Sequence, residues 1–512
     1  MNIRESSMKK EHALSLSLLP LLLLNACSTD SGSYQDAKVH GKTVYCDVMQ
    51  KSFEYEGPGR NPVIVIHGLL GSKLEDLSCS ENIWGNFAFG EMLMGDKFAR
   101  LAHPMKQGAA LRNLTSSVKP AGLLDRSQIR ILGFSFDYEG YDILVRSLKN
   151  SGYVPDSEPL PPDRHFHSLF LFYYDWRRDI SENAARLREF ILERRNELQE
   201  KYRELYGLSD YNVKFDLVAH SMGGLVARYF MRYGGTPLPD DPDQVPPVTW
   251  EGAGFIDKVV MIATPNAGYV DTLVELTEGL RLAPAAPAYP KTVIGTFPSY
   301  YQMLPDPETD SVLSGGEAAV PVDCFSLDTW IRYGWGLADP EQDRWLKTIL
   351  PDIATPEERY RVALDHLEKC LKRAKQFKRS LRTPASAPEN VALYLIAGDA
   401  LLTNDKVAVQ PDGRVTVIKR DAGDGKITAM SARHDLRTQD NWLPFLVSPI
   451  NWSSVYYFHG GHMGIMNSDT FEPNLRFLLL AAPTPYQRKH MAEYSDIIKH
   501  RNLPNDDGSK SR

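Results

Sequence analysis

From residue 61 onward, short apolar runs alternate with helical patterns, and that alternation restricts the chain to one broad architecture. Asn61 to His67 (NPVIVIH), Ser168 to Tyr174 (SLFLFYY), Val213 to Ala219 (VKFDLVA), Ile256 to Ala263 and Val391 to Ala397 are each too short for a buried helix. Runs of this kind suit strands covered on both faces, as in a parallel sheet flanked by helices. Parallel neighbours require crossovers, and one is visible between the second and third runs. There Leu187, Ile191, Leu198, Tyr202 and Leu205 fall near one helical face, and Gly207 follows as a helix stop. The expected class is α/β, a mostly parallel sheet with helices on both faces.

Two stretches break the alternation. Residues 77–135 contain IWGNFAFGEMLMGDKF and no clear strand, and residues 270–390 interrupt the strand pattern. Long insertions of this kind are commonly lids or caps over a site. Within the second, residues 356–381 read as a helix, with Tyr360, Leu364, Leu367, Leu371, Ala374 and Phe377 at helical spacing. That stripe is read as cap packing, as is the aromatic group Trp330, Tyr333 and Trp335. The main domain is expected over residues 41–485, followed by a charged, disordered tail at 486–512.

The first residues read as an export signal. Lys9 and Lys10 precede the apolar run Ala13 to Leu24, which is too short to span a bilayer, and Asn25, Ala26 and Cys27 follow. Leu24-Asn25-Ala26-Cys27 resembles a bacterial lipobox, so residues 1–26 are expected to be removed and Cys27 lipidated, with residues 27–40 as a tether. Met8 is an alternative start. The expected location is therefore an exported, membrane-anchored lipoprotein on the periplasmic or cell-surface face. Export would favour disulfides among the remaining cysteines, and nearest-neighbour pairing gives Cys46–Cys79 and Cys324–Cys370. Cysteine spacing suggests no metal site, and no cofactor is implied. A formal charge of −7 leaves no basic footprint for nucleic acid.

The third apolar run leads directly into chemistry. Val213 to Ala219 continues into His220-Ser221-Met222-Gly223-Gly224 and then the largely apolar, helical Leu225 to Tyr233. Strand, tight turn and helix is the context of a nucleophile elbow, which holds a serine at a strained backbone position with small residues two before and two after. Here those are Ala219 and Gly223. Ser221 is the expected nucleophile.

Acyl transfer at serine also needs donors for the developing oxyanion. The Met222 N–H is one candidate, and the Leu69 N–H in His67-Gly68-Leu69-Leu70-Gly71, after the first apolar run, is the other. A histidine must take the serine proton and an acid must orient it, in the chain order Ser, Asp or Glu, His. Asp424 in AGDGKITAMSA at 422–432 is the chosen acid, with Asp399 and Asp421 as competitors. His462 in FHGGHMGIMNSDTF at 458–471, before a last helix from about Thr470 to Leu480, is the chosen base, and His459 is read as a structural neighbour.

Taken in order over about residues 61–480, these segments resemble the lecithin:cholesterol acyltransferase family, an α/β-hydrolase group that includes lysosomal phospholipase A2 and phospholipid:diacylglycerol acyltransferases. PVIVIHGLLGSKLE at 62–75 is similar to the family's strand and oxyanion loop, with His67 where proline is frequent. ENIWGNF at 81–87 resembles its lid segment, which implies an acyl-substrate contact for Trp84. YDWR at 174–177, IATPNAG at 262–268 and YYQMLP at 300–305 are similar to family segments, GDGKI at 423–427 stands in for GDGTV, and HMGIM at 462–466 resembles the histidine segment. The family's short lid disulfide has no counterpart, because no cysteine follows soon after Trp84. The resemblance implies a serine-dependent lipid acyl hydrolase or O-acyltransferase acting on glycerolipid esters through an acyl-Ser221 intermediate. The alternatives are a carboxylesterase for non-lipid esters and a non-catalytic, lipid-binding surface lipoprotein.

Overall fold

Six parallel strands form the centre of the protein. In the computed structural model they are β1 (Val63–Ile66), β2 (Leu169–Phe172), β3 (Phe215–His220), β4 (Ile256–Ile262), β5 (Ala392–Ala397) and β6 (Ser454–Tyr457). The structure describes residues 46–85, 95–124, 127–131, 134–138, 140–282, 288–316, 319–438 and 440–489, with short strands at Lys38–Val39 and Lys42–Thr43. The expected signal, Cys27, most of the tether and most of the charged tail lie outside these residues. The chain divides into residues 1–51, where the two short strands pair antiparallel, and residues 52–512, which hold everything that follows.

The sheet order is β6-β5-β4-β3-β1-β2. After β1 the chain steps outward to β2 and then returns to the other side of β1 for β3, so the order reverses between β1 and β3. A crevice at the carboxyl ends of strands opens at such a reversal. The apolar runs are explained by burial on both faces. Val63 and Val65 join Val218 and Val260 in one hydrophobic cluster, while Ile64 and Ile66 join Leu217 and Val259 in the other. Burying each such side chain contributes about 1.5–3 kcal/mol.

The crossover helix α1 (Ile180–Tyr206) begins at Asp179, whose carboxylate accepts the Ser181 N–H, and ends at Gly207 with a left-handed φ of 66°. Its buried face is Leu187, Ile191, Leu198 and Tyr202, whereas Leu205 is exposed. The remaining helices that frame the site are α2 (Met222–Tyr233), α3 (Pro356–Arg382) and α4 (Phe471–Leu480). In α3 the predicted stripe is buried at Leu367, Leu371, Ala374 and Phe377. Trp330 and Trp335 are buried too, their indoles donating to the carbonyls of Cys324 (2.7 Å) and Gly413 (2.6 Å).

Residues 77–135 differ from expectation. Ser72–Asp76 pairs antiparallel with Glu81–Trp84 and Val118–Leu123, and Ser127–Ile131 pairs with Phe134–Tyr138. These strands are short and mixed in polarity, with Pro120 in one, so pairing rather than local composition makes them strands. The segment 270–390 is mainly helical, and its strand Val312–Ser314 extends the hairpin Leu401–Val409/Val415–Gly423. The tail starts with a further helical turn, Pro485–Lys489. The expected disulfides are absent: Cys46, Cys79, Cys324 and Cys370 are all free. Cys324 and Cys370 are both buried, Cys370 on the inner face of α3, and Cys46 and Cys79 are exposed. Among the described residues no helix is long and apolar enough to cross a membrane.

Candidate active site

Ser221 stands between β3 and α2 with φ 53° and ψ −126°, a backbone state that a residue with a side chain adopts only when its surroundings enforce it. The enforcement is visible. The Ser221 N–H donates to Ile262 O of β4 at 2.8 Å, and its carbonyl accepts the Gly224 N–H at 3.0 Å. Small residues are needed on each side. A Cβ on Gly223 would lie 2.4 Å from His67 O, and one on Gly224 would lie 2.0 Å from Thr264 Oγ1.

The loop after β1 packs against the serine. A Cβ on Gly68 would lie 2.7 Å from Ser221 Cβ, so only glycine allows this approach. The Gly68 N–H donates to the Tyr141 hydroxyl at 2.7 Å, the Gly71 N–H closes a turn on Gly68 O at 3.2 Å, and Leu70 takes a positive φ of 64°. Leu69, the expected oxyanion donor, is the half-buried residue following Gly68 in this turn, and Met222 is the first residue of α2. A helix's first N–H groups have no intrahelical acceptor and face the positive end of its dipole, which suits Met222 to an anion.

Asp424 and His462 reach the same place from the far end of the chain. His462 Nδ1 donates to Asp424 Oδ2 at 2.9 Å, and the Ser221 hydroxyl lies 3.0 Å from His462 Nε2. Because a carboxylate only accepts, the proton belongs on Nδ1 and leaves Nε2 free to accept from Ser221. The other Asp424 oxygen accepts the Lys426 and Ile427 N–H groups at 2.9 and 2.7 Å. Burial alone would raise the Asp424 pKa, but His462 and these backbone donors outweigh it and hold the carboxyl below its ordinary value. Ser221 is 8% exposed and Asp424 2%, while His462 is half-buried. Of the competitors, Asp399 is exposed, Asp421 pairs with Lys419 at 2.9 Å, and His459 is exposed. Lys426, in the place of threonine, turns away to Glu275 at 2.8 Å.

Trp84, the expected lid contact, ends the strand Glu81–Trp84. It is 2% exposed, packs edge-on to Trp176, and donates its indole N–H to Leu70 O at 2.9 Å. In this conformation its polar contact is with the loop after β1. The YDWR segment is likewise scaffolding. Tyr174 Oη donates to His67 O at 2.5 Å, Trp176 Nε1 donates to Ser72 O at 3.1 Å, and Arg177 makes a two-pronged, buried pair with Asp175 at 2.9 and 2.8 Å.

Two histidines beside the serine are buried and neutral. Burial pushes His67 down to about 4 and His220 to about 3, with neighbouring His462 adding to the effect on His220. His220 lies inside the pentapeptide yet carries no sequence signal of its own. Its partner Tyr141 has none either. Among the described residues no group of histidine, cysteine and carboxylate side chains is arranged to hold a metal ion.

The sequence matches the family model described as Lecithin:cholesterol acyltransferase over residues 80–338, half of the chain. That span contains Ser221 and YDWR, whereas Asp424 and His462 lie beyond it. Among solved structures the chain is similar to one in the Tle4–Tli4 complex, with 12% identity over 82% of this chain and 98% of that one and a TM-score of 0.52. It is also similar to the Bacillus licheniformis lipase BlEst2 in propeptide form (12% identity, 84% and 53% covered, TM-score 0.32). A third is phospholipase PlaB from Legionella pneumophila (11% identity, 86% and 63% covered, TM-score 0.29). The likeness to the chain of the Tle4–Tli4 complex concerns the fold. No curated protein sequence matches the chain.

Proposed function

The chain belongs to the lecithin:cholesterol acyltransferase family of lipid-ester hydrolases and acyltransferases, and from that premise we propose that it moves acyl groups from glycerolipid esters through an acyl-Ser221 intermediate. The observation that carries the reading is the continuous hydrogen-bond chain Ser221–His462–Asp424 at the strained end of β3.

In this reading Ser221 Oγ attacks the ester carbonyl carbon while His462 Nε2 takes its proton. The carbonyl π pair moves to oxygen, and the N–H groups of Met222 and Leu69 stabilise the oxyanion. Collapse breaks the bond to the leaving alcohol, which receives the proton from His462, and the acyl group stays on Ser221. Water or an acceptor alcohol then gives a proton to His462 and attacks the acyl carbon, and the second collapse returns that proton to Ser221. Asp424 keeps its charge throughout, holding the tautomer and stabilising the imidazolium. Hydrolysis and transfer use the same groups and differ only in whether water reaches the acyl-enzyme.

The test is fluorophosphonate labelling followed by turnover of a labelled phospholipid, with and without a long-chain alcohol. Labelling lost in Ser221→Ala and acyl release from phospholipid support the reading. Labelling independent of Ser221 refutes it, and turnover confined to short soluble esters refutes the lipid substrate. Free fatty acid against new ester identifies the acceptor. Lipidation at Cys27 is part of the same proposal, supported by the basic residues, apolar run and lipobox-like exit at the start of the sequence. Radiolabelled palmitate incorporation in cells that is unaffected by Cys27→Ala would sink it.

A further inference from the structure

Besides the bond from Tyr174 Oη to His67 O, the loop after β1 is held from the insertion that follows it. Gly68 N–H donates to Tyr141 Oη at 2.7 Å, Trp84 Nε1–H to Leu70 O at 2.9 Å, and Leu124 N–H to Gly71 O at 2.9 Å. The Tyr141 N–H in turn donates to Leu124 O at 3.1 Å. Trp84, Leu124 and Tyr141 all lie in the insertion between β1 and β2, so described residues of that insertion help to shape the loop beside Ser221, together with Tyr174.

The bond at Tyr141 does not end there. Having accepted the Gly68 N–H, the phenol still has its own proton to give, and His220 Nδ1 lies 2.9 Å away. The other ring nitrogen of His220 faces the His462 backbone oxygen at 3.1 Å. A carbonyl oxygen only accepts, so the His220 proton must sit on Nε2 and Nδ1 must accept from Tyr141. Each donor in this row meets an acceptor with consistent polarity, and the imidazole is neutral as a result. His220 is 1% exposed and Tyr141 3%, and their rings meet edge to face at 5.6 Å.

We propose that Tyr141 and His220 are positioning residues, linking the Gly68 amide to the His462 backbone through one neutral hydrogen-bond row so that the oxyanion loop and the general base are set as a unit about Ser221. The proposal rests on the reading of Ser221 as nucleophile. Its physical basis is location. His220 is rigidly placed because it ends β3 immediately before the strained serine, whereas His462 lies on a half-buried loop. Its Nδ1 and Nε2 contacts orient the ring, and the His220 bond ties its backbone to β3.

The first test is independent of activity. In the intact protein, ¹⁵N-detected imidazole spectra should show His220 as a neutral ring protonated on Nε2, unchanged when the pH is lowered from 7.5 to 5 despite the nearby His67, His462 and Asp424. An Nδ1-protonated ring, or protonation within that range, would overturn the proposal. The second is Tyr141→Phe, which keeps the ring and removes only the bridging oxygen. Expected are a fall in kcat for p-nitrophenyl butyrate of about tenfold or more, with KM within about twofold, because the reacting groups lose alignment rather than substrate contacts. An unchanged kcat, or a loss carried by KM alone, would overturn it. If the unsubstituted protein shows no Ser221-dependent turnover, the functional reading fails, and the spectra still decide the hydrogen-bond row.

Discussion

Replacing Gly68 by alanine puts the packing of the loop after β1 against Ser221, the proposed nucleophile, to a direct test. The added Cβ would lie 2.7 Å from Ser221 Cβ and 3.2 Å from both Ser221 Oγ and His220 O. Nonbonded carbons rest at about 3.5–4.0 Å, so the two groups must separate by about 0.8–1.3 Å. Neither side yields easily. Ser221 Cβ is attached to a backbone held at φ 53°, and Gly68 continues β1, which is in register with β3 from Val63–Asp216 to Ile66–Ala219. Overpacking of this kind costs about 1–3 kcal/mol of stability, which leaves a domain of ordinary stability folded. A misplacement of about 1 Å at reacting groups costs about 10²-fold in rate. The expected result is therefore a folded protein, checked by its thermal midpoint and circular dichroism, whose kcat/KM for p-nitrophenyl butyrate and fluorophosphonate labelling rate both fall about 10²-fold. Gly461→Ala is the comparison, because a Cβ there meets only Asp424 O at 3.9 Å, an ordinary contact. A folded Gly68→Ala protein with kcat/KM within about threefold of the parent would refute the steric reasoning.

Asp424→Asn should preserve the fold and lower kcat by about 10⁴-fold, since the amide neither stabilises the imidazolium nor enforces the same tautomer; full activity would remove Asp424 from the proposed mechanism. Three buried histidines should make the fold acid-sensitive. His67 and His366 are pushed down to about 4 and His220 to about 3, in each case first by burial. The unfolded chain takes up their protons near pH 6.5 while the folded one refuses them, so stability falls as pH drops from about 6.5 towards 4, by about 4 kcal/mol per pH unit at the steepest if all three act together. Urea midpoints at pH 7.5 and 5.0 measure this, and equal midpoints contradict it. In a form lacking Cys27, Ellman's reagent should find Cys46 and Cys79 at once and the buried Cys324 and Cys370 only after denaturation, since burial raises both thiols, Cys324 to about 12. Four rapidly reacting thiols would contradict that placement.

Legibility in the sequence followed the range of the constraint. Strands β1 to β5 were readable because a strand covered on both faces must be largely apolar, a local condition that each run meets despite Asp216 in β3 and Asp257 and Lys258 in β4. The elbow was readable for the same reason, since strain at Ser221 demands small neighbours within a few residues. The acid was less so. Asp399, Asp421 and Asp424 all sit in turn-like sequence, and only the packing shows that Asp424 meets His462. Strands at 72–76, 81–84 and 118–123 were not readable, because their stability lies in one another. The disulfide expectation failed because a bond depends on the geometry of two side chains, which spacing in the sequence does not fix.

Sequence alone therefore determined the α/β class and the strained strand–turn–helix at Ser221, because each is a local demand on residue type. Tertiary structure decided which partners complete the site. His462 stands 38 residues from Asp424 and 241 from Ser221. Tyr141 stands 73 residues from Gly68 and 79 from His220. Contacts across such separations leave no mark on local composition, since a tyrosine or histidine is acceptable in many places and becomes specific only when the sheet order brings β1, β3 and the loop after β6 to one edge.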